Sequence, residues 1–275
     1  MPELPEVETV CRGLAPVLAG QVIVRVDIRR KGLRKPFPGG LKNLIESAKV
    51  VQVTRRAKYI RIHLDNGYVL LIHLGMSGRL VCHPCDYKPQ THDHFILHMQ
   101  DGRQIVLNDP RRFGLVDIAG AAALEDHPLF AHLGPEPLSG GFSAPVLAAS
   151  LKGRKAAIKQ VIMDQRVVVG VGNIYASEAL FMAGISPLRP AGALTADQVE
   201  RLTAAIRQVL QKAIAAGGST LRDYRQAHGE LGYFQHSFSV YDREGLACVT
   251  CTGKRPVMRI IQGGRSTFYC PSCQR

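Results

Sequence analysis

The sequence has no apolar run approaching the roughly 18 residues that a bilayer span needs. Its first residues lack the basic and apolar regions of a secretory signal. These absences lead to the expectation of a cytoplasmic, nucleoid-associated protein with no membrane partner. Acidic residues are also scarce, 22 Asp and Glu against 35 Lys and Arg, for a net charge of +13 and a pI near 9.7. An excess of that size points to a polyanionic partner, of which nucleic acid is the leading case. There is no long internal repeat and no low-complexity tract. The 275 residues, 46% of them hydrophobic, suffice for two domains, or for one core with an appendage.

After an N-terminal helix, residues 20–118 read as short strands. Gln21–Arg29 alternates, with Val22, Val24, Val26 and Ile28 expected on one face. Asp65-Asn66-Gly67 and Asp101-Gly102 each separate two apolar runs and read as hairpin turns. Strands at this spacing suggest a β-sandwich. Gly134-Pro-Glu-Pro and Ser139-Gly-Gly-Phe-Ser break the pattern as a linker would. From about residue 145 the period turns helical. Thr195 and Gln198 form a capping box, Val199, Leu202, Ile206, Val209, Leu210 and Ala213 share a face, and Gly217-Gly218 closes the run.

Three stretches carry chemistry. Removal of Met1 would leave Pro2 as a free secondary amine, followed closely by Glu3, Glu6 and Glu8. An α-amino group has a reference pKa near ~8, so it is available as a nucleophile, and a secondary amine forms an iminium that stays cationic at every pH. The same residues also make an ordinary helix start, with Val7, Val10, Cys11 and Leu14 on one buried face. Near the C-terminus, Cys248-x-x-Cys251 and Cys270-x-x-Cys273 stand 18 residues apart. That spacing predicts one structural zinc ion per chain, held by four thiolates around a hairpin. Lys254, Arg255, Arg259 and Arg265 stud the intervening segment and suit it to DNA. Seven cysteines in a cytosolic chain do not form a disulfide framework; Cys82 and Cys85 read as a chance pair in a loop rather than a second metal site. Finally, Val169-Gly170-Val171-Gly172-Asn173 opens a helix and can set backbone N–H groups against a phosphate, but it lacks the Lys-Ser/Thr of a P-loop.

Pro-Glu-Leu-Pro-Glu-Val-Glu-Thr at residues 2–9 resembles the N-terminus of the formamidopyrimidine-DNA glycosylases. Arg56-Ala57-Lys58, His73-Leu-Gly-Met-Ser-Gly78, Asp109-Pro-Arg-Arg-Phe-Gly114, the Gly172-Asn173 helix start, the region from Gly217 to Phe238, and Gly264-Arg-Ser-Thr through Gln274 resemble the family's later motifs. The likeness runs from Pro2 to Gln274 in one order. The spacing between the cysteine pairs is somewhat longer than the family usually has, with the extra length falling within Thr252–Arg255.

The resemblance implies an α+β protein: an N-terminal β-sandwich led by an α-helix (residues 1–133), a linker (134–144), a helical DNA-binding domain with a helix–two-turns–helix (145–240) and a four-cysteine zinc-finger hairpin (241–275). It implies a monomer acting on damaged double-stranded DNA in a basic cleft, removing oxidised purines and then cleaving the strand as a lyase. Pro2 would be the nucleophile, Glu3 would manage proton transfers, Lys58 the first elimination and Arg265 the second, with Glu6 and Glu178 supporting the active site. Met76 would fill the vacated space in the stack, Arg111 face the orphaned base and Phe113 act as a wedge. His73, His92, Arg154 and Asn173 would contact DNA. Two other readings are an endonuclease VIII-like enzyme for oxidised pyrimidines, against which Leu4 counts, and a non-catalytic zinc-containing DNA-binding protein, which leaves Pro2-Glu3 and Lys58 unexplained.

Overall fold

The computed structural model describes residues 2–219, 232–251 and 255–275. Most of the expected recognition loop (220–231), and Thr252–Lys254 between the cysteine pairs, lie outside the described residues. The chain falls into two compact units, Met1–Ala131 with Ala216–Tyr233, and His132–Ala215 with Phe234–Arg275. No described helix is long and apolar enough to cross a membrane.

The first unit begins with helix α1 (Leu4–Leu18). Its 3.6-residue period puts Val7, Val10, Cys11 and Leu14 on one face, and all four are buried. Two four-stranded antiparallel sheets follow. One has the order β1 (Ile23–Ile28), β6 (Asp93–Met99), β7 (Gln104–Asn108), β5 (Arg79–His83); a short helix α2 (Leu41–Ile45) follows β1 in the chain. The other has the order β2 (Val50–Arg56), β3 (Tyr59–Leu64), β4 (Tyr68–His73), β8 (Leu115–Gly120). Leu80, Phe95, Leu97, Ile105 and Leu107 from the first sheet meet Val50, Ile60, Ile62, Leu70, Ile72 and Val116 from the second in one apolar cluster, which α1 also enters. This is the expected helix-led sandwich. Both hairpin turns form where Gly67 and Gly102 adopt positive φ (81° and 88°).

Strand β1 departs from the expected alternation. A register shift between Ile23 and Arg25 against β6 puts Ile23 and Val26 both on the buried side and leaves Val24 exposed (52%), while Ile28, in phase with Val26, is exposed (37%) at the strand's end. An extra residue in one strand turns every later side chain to the opposite face. The N–H of Val26 donates to Glu46 Oε1 (2.8 Å) and that of Ile23 to the Ala48 carbonyl (3.0 Å).

The second unit holds α3 (Ala144–Leu151), α4 (Ile158–Ile162), α5 (Asn173–Ala183) and α6 (Ala196–Ala215). The capping box forms: Thr195 N–H donates to Gln198 Oε1 (3.0 Å) and Gln198 N–H to Thr195 Oγ1 (3.3 Å). The predicted apolar face of α6 is buried, whereas α5 is buried nearly all round. The hairpin β9 (Met258–Gln262) and β10 (Arg265–Tyr269) turns through Gly263-Gly264, both at positive φ, as a tight two-residue turn demands. Phe268 of β10 packs with Val240 and Val257, against Phe181 of α5.

Because α1 carries the N-terminus into place through this core, truncating a fully buried anchor on it should be costly. Leu14→Ala should lower unfolding stability by about 2–5 kcal/mol, as buried leucine deletions do, read from urea denaturation. A loss under about 1 kcal/mol would show that the helix is not packed as described.

Candidate nucleic-acid and catalytic site

Pro2 is buried, and Glu3 and Glu6 behind it are each 2% exposed. A carboxylate that deep must be hydrogen-bonded. Glu6 Oε2 accepts the N–H of Glu3 (2.8 Å), while Glu6 Oε1 accepts both the N–H (2.8 Å) and the hydroxyl (3.1 Å) of Ser219. One side chain therefore ties the start of α1 to the segment that carries Gly217 and Gly218. Lys58 sits at the two-residue turn between β2 and β3, where Ala57 takes a φ of 52°. The turn is basic in sequence, yet Lys58 is buried (7% exposed). Arg55 fixes the turn, donating to the Ala57 carbonyl (2.9 Å) and pairing with Glu8 of α1 (3.0 Å). Cys11, on the buried face of α1, is inert: burial, then the charge of Glu8, pushes its thiol up to about 12.

His73 ends β4, in register with Tyr59 and 4.8 Å from its ring. Its Nδ1 accepts the N–H of Gly75 (2.9 Å). Burial first, and then the positive charges of Arg34 and Lys58, push His73 down to about 3. It is therefore a neutral imidazole at working pH, with Nε2 as its donor. Beyond it in the chain lie the two loops expected to enter DNA. Met76 (39%) and Phe113 (43%) stand exposed, and the Arg111 guanidinium lies over the Phe113 ring, 5.0 Å from its centroid. Large apolar side chains presented to solvent at two adjoining loop tips mark a contact surface. His92 holds a φ of 75°, and its carbonyl accepts the N–H of Asp109 (3.0 Å).

In the second unit, Asn173 opens α5. Its Oδ1 accepts Lys159 Nζ (2.6 Å) and its Nδ2 donates to the Ser266 carbonyl (2.9 Å). The side chain expected on DNA is thus also a clamp on β10. Arg265 is exposed at the start of β10 and borders a cavity of about 250 Å³ with Lys159, Gln160, Asp164 and Gly263. Arg154 is exposed too, 4.0 Å from Asp164. Glu178 is buried in mid-helix, and its carboxylate accepts three backbone N–H groups, from Ser239 (2.9 Å), Val240 (3.0 Å) and Tyr241 (2.8 Å). Its visible task is to hold the chain leading into the cysteine hairpin.

The sulfurs of Cys248, Cys251, Cys270 and Cys273 all lie within 4.8 Å of one another. Cys248 and Cys273 are 3.7 Å apart, Cys251 and Cys270 3.6 Å. Four thiolates about 2.3 Å from a tetrahedral ion would be separated by about 3.8 Å, so the cluster fits such a metal. Cys82, Cys85 and His92 join no comparable cluster among the described residues.

The family model described as the formamidopyrimidine-DNA glycosylase N-terminal domain matches residues 1–116, and that of the formamidopyrimidine-DNA glycosylase H2TH domain matches 133–225. The formamidopyrimidine-DNA glycosylases of Paracoccus denitrificans and Dinoroseobacter shibae are 54% and 51% identical to the chain, each comparison covering 100% of both proteins. The chain belongs to the formamidopyrimidine-DNA glycosylase family. The Thermus thermophilus member superposes with a TM-score of 0.89 at 42% identity, over 99% of this chain and 98% of that one. A Lactococcus lactis member, solved with DNA containing Fapy-dG, gives 0.92 at 31% identity over 100% of both.

Two residues of this family member are not singled out by the sequence. Arg34 lies in the aperiodic basic stretch Arg29–Lys35, yet its charge acts on both Tyr59 and His73, and its N–H donates to the Gly114 carbonyl (3.1 Å). Lys159 is one basic residue among four in its stretch; it is 1% exposed and also donates to Thr267 Oγ1 (2.7 Å) and the Ser266 carbonyl (3.2 Å). Only the clustering of cations in the sequence hints at either.

The His73 environment makes a pH prediction. The folded imidazole should remain neutral at pH 5, protonated on Nε2 only, in ¹⁵N–¹H spectra. An unfolded histidine titrates near ~6.5, so below that pH the unfolded chain gains a proton the folded one refuses. The stability contribution of His73 is therefore intact above about 6.5 and is lost as pH falls towards about 3. A doubly protonated ring at pH 5 would contradict the site's electrostatics.

Proposed function

We propose that the protein excises oxidised purines, 8-oxoguanine and formamidopyrimidines, from damaged duplex DNA in base excision repair, and then cleaves the strand as an AP lyase. The observation that carries this reading is the enclosure of Pro2 with two buried carboxylates, Glu3 and Glu6, in the unit that also buries Lys58. A surface helix start would need none of them buried.

With Met1 removed, the Pro2 nitrogen attacks C1′ of the damaged nucleotide. The glycosidic bond breaks and its electron pair leaves with the base; the nitrogen then sheds its proton and its lone pair expels O4′ from C1′, opening the sugar ring, with Glu3 managing the protons on base and O4′. The resulting iminium joins protein to DNA. Loss of the C2′ proton, with Lys58 as acid–base group, breaks the C3′–O bond and releases the 3′ phosphate. A second elimination, assisted by Arg265, releases the 5′ phosphate. Glu6 supports the amine through the Glu3 backbone, and Glu178 supports the chain that leads to the hairpin. Met76 fills the vacated stack, Arg111 faces the orphaned base and Phe113 wedges. His73, His92, Arg154 and Asn173 contact the DNA. Cys248, Cys251, Cys270 and Cys273 would hold one zinc ion with no open position, so the metal orders the hairpin and takes no part in the reaction. The protein works as a monomer in the cytoplasm, on the nucleoid.

Intact mass should show a chain starting at residue 2, and borohydride added during turnover on 8-oxoguanine duplex should leave a covalent adduct that maps to Pro2. Glu3→Gln should fold normally and lose about 10²–10⁴-fold in base excision. A protein with an uncleaved N-terminal tag that still traps DNA would make a lysine the nucleophile.

Chelation should release one zinc per chain and abolish DNA binding, since a four-thiolate site contributes its binding energy to folding. Cys273→Ser should do the same. Undiminished DNA binding by verified metal-free protein would refute the structural role of the ion.

A further inference from the structure

The two exposed loops that carry Met76 and Arg111–Phe113 meet at a buried side chain that the reaction does not use. Asp109 has 0% exposure. Its Oδ1 accepts the hydroxyl of Ser77 (2.7 Å), one residue beyond Met76. Its Oδ2 accepts the N–H of Gly114 (2.7 Å), one residue beyond Phe113. Its backbone is engaged as well: the N–H donates to the His92 carbonyl (3.0 Å), and the carbonyl accepts the N–H of Arg112 (3.2 Å) and lies 3.1 Å from His94 Nε2. Ser77 completes the ring by accepting the N–H of Arg111 (3.2 Å). Glycines press the loops together. A Cβ on Gly75 would fall on the backbone of Phe113 and Gly114, and one on Gly114 would stand 2.9 Å from Asp109 Oδ2. Gly75 and Arg112 both hold positive φ, 63° and 59°.

We propose that Asp109 is the positioning residue that locks both loops into one rigid wedge, so that filler and wedge enter the base stack in a single step and discriminate the lesion together. The inference rests on the proposed function. Its physical basis is the low tolerance of a buried carboxylate for lost donors, and of two loops whose backbones press together at Gly75 and Gly114 for independent motion. An asparagine at this position keeps the shape but supplies one acceptor where two are needed. Its amide N–H groups would then face the Ser77 hydroxyl or the Gly114 N–H.

The test compares wild type, Asp109→Asn, Ser77→Ala and the double variant on two duplexes, one with 8-oxoguanine opposite cytosine and one with a preformed abasic site. The abasic duplex reports the amine and the eliminations without the need to break a stacked base out. Asp109→Asn should lose about 10–100-fold on the lesion duplex, as small misplacements in a preorganised site do, and stay within about threefold of wild type on the abasic one. Ser77→Ala should show the same selectivity, more weakly. The double variant should be no worse than Asp109→Asn alone, because the residues act as one network. Thermal melts accompany each protein, and Ser77→Ala carries the test if Asp109→Asn does not fold. Equal losses on both duplexes, additive losses in the double variant, or no loss on the lesion would each overturn the proposal. Wild-type protein that cleaves neither duplex would sink the proposed function, and this inference with it.

Discussion

The Glu6 carboxylate is the constraint on which the first unit turns. It is closed off from solvent, so its charge must be matched by donors inside the protein. The donors come from two places far apart in the chain, the Glu3 backbone and Ser219, some two hundred residues on. Glu6 therefore fixes the register between the amine-bearing terminus and the neck of the 220–231 segment. That neck is narrow: a Cβ on Gly232 would fall on the Gly217 and Gly218 carbonyls, and the Tyr233 N–H donates to the Ala216 carbonyl (3.1 Å). Glutamine in place of Glu6 would keep an acceptor for one of these ends only, and alanine for neither.

Charge in this protein has two uses, and burial separates them. Lys58 and Lys159 lie inside and Arg55 is nearly enclosed; Arg55 and Lys159 hold backbone geometry through carbonyl, amide and carboxylate oxygens. Lys159 alone joins α4, α5 and β10. Arg154, Arg265 and Arg111 stay exposed, where their charge is available to a partner. A pair such as Arg166 with Asp164 lies on the surface and adds little to stability.

Much of this is legible in the residues. Asp65-Asn66-Gly67 and Asp101-Gly102 announce their hairpins because the turns require positive φ. Thr195 and Gln198 announce the start of α6 because their side chains cap each other. Cysteine spacing announces the four-sulfur cluster because each pair must sit on a tight turn. What cannot be read depends on tertiary proximity. Lys58 looks like a solvated turn residue, yet the fold buries it to 7% exposure. From its place in the sequence Glu178 is a carboxylate near a helix start, and nothing there shows that three N–H groups some sixty residues downstream converge on it. The faces of β1 escape the hydropathy pattern because a register shift against a distant strand leaves no mark on it.

That shift in β1 bears on how the protein behaves at high concentration. An edge strand with exposed valine and isoleucine is an open invitation for a second copy to add a strand and seed a fibre. Here β1 is an edge strand of its sheet, with Val24 and Ile28 exposed. The register shift interrupts the regular ladder that strand addition requires. Its N–H groups at Ile23 and Val26 already have acceptors in Ala48 and Glu46. Arg25 and Asp27 place charge between the two apolar tips. The irregularity that spoils the strand's pattern thus guards the protein's colloidal stability, and straightening it by design would trade a tidier sheet for an aggregation-prone edge.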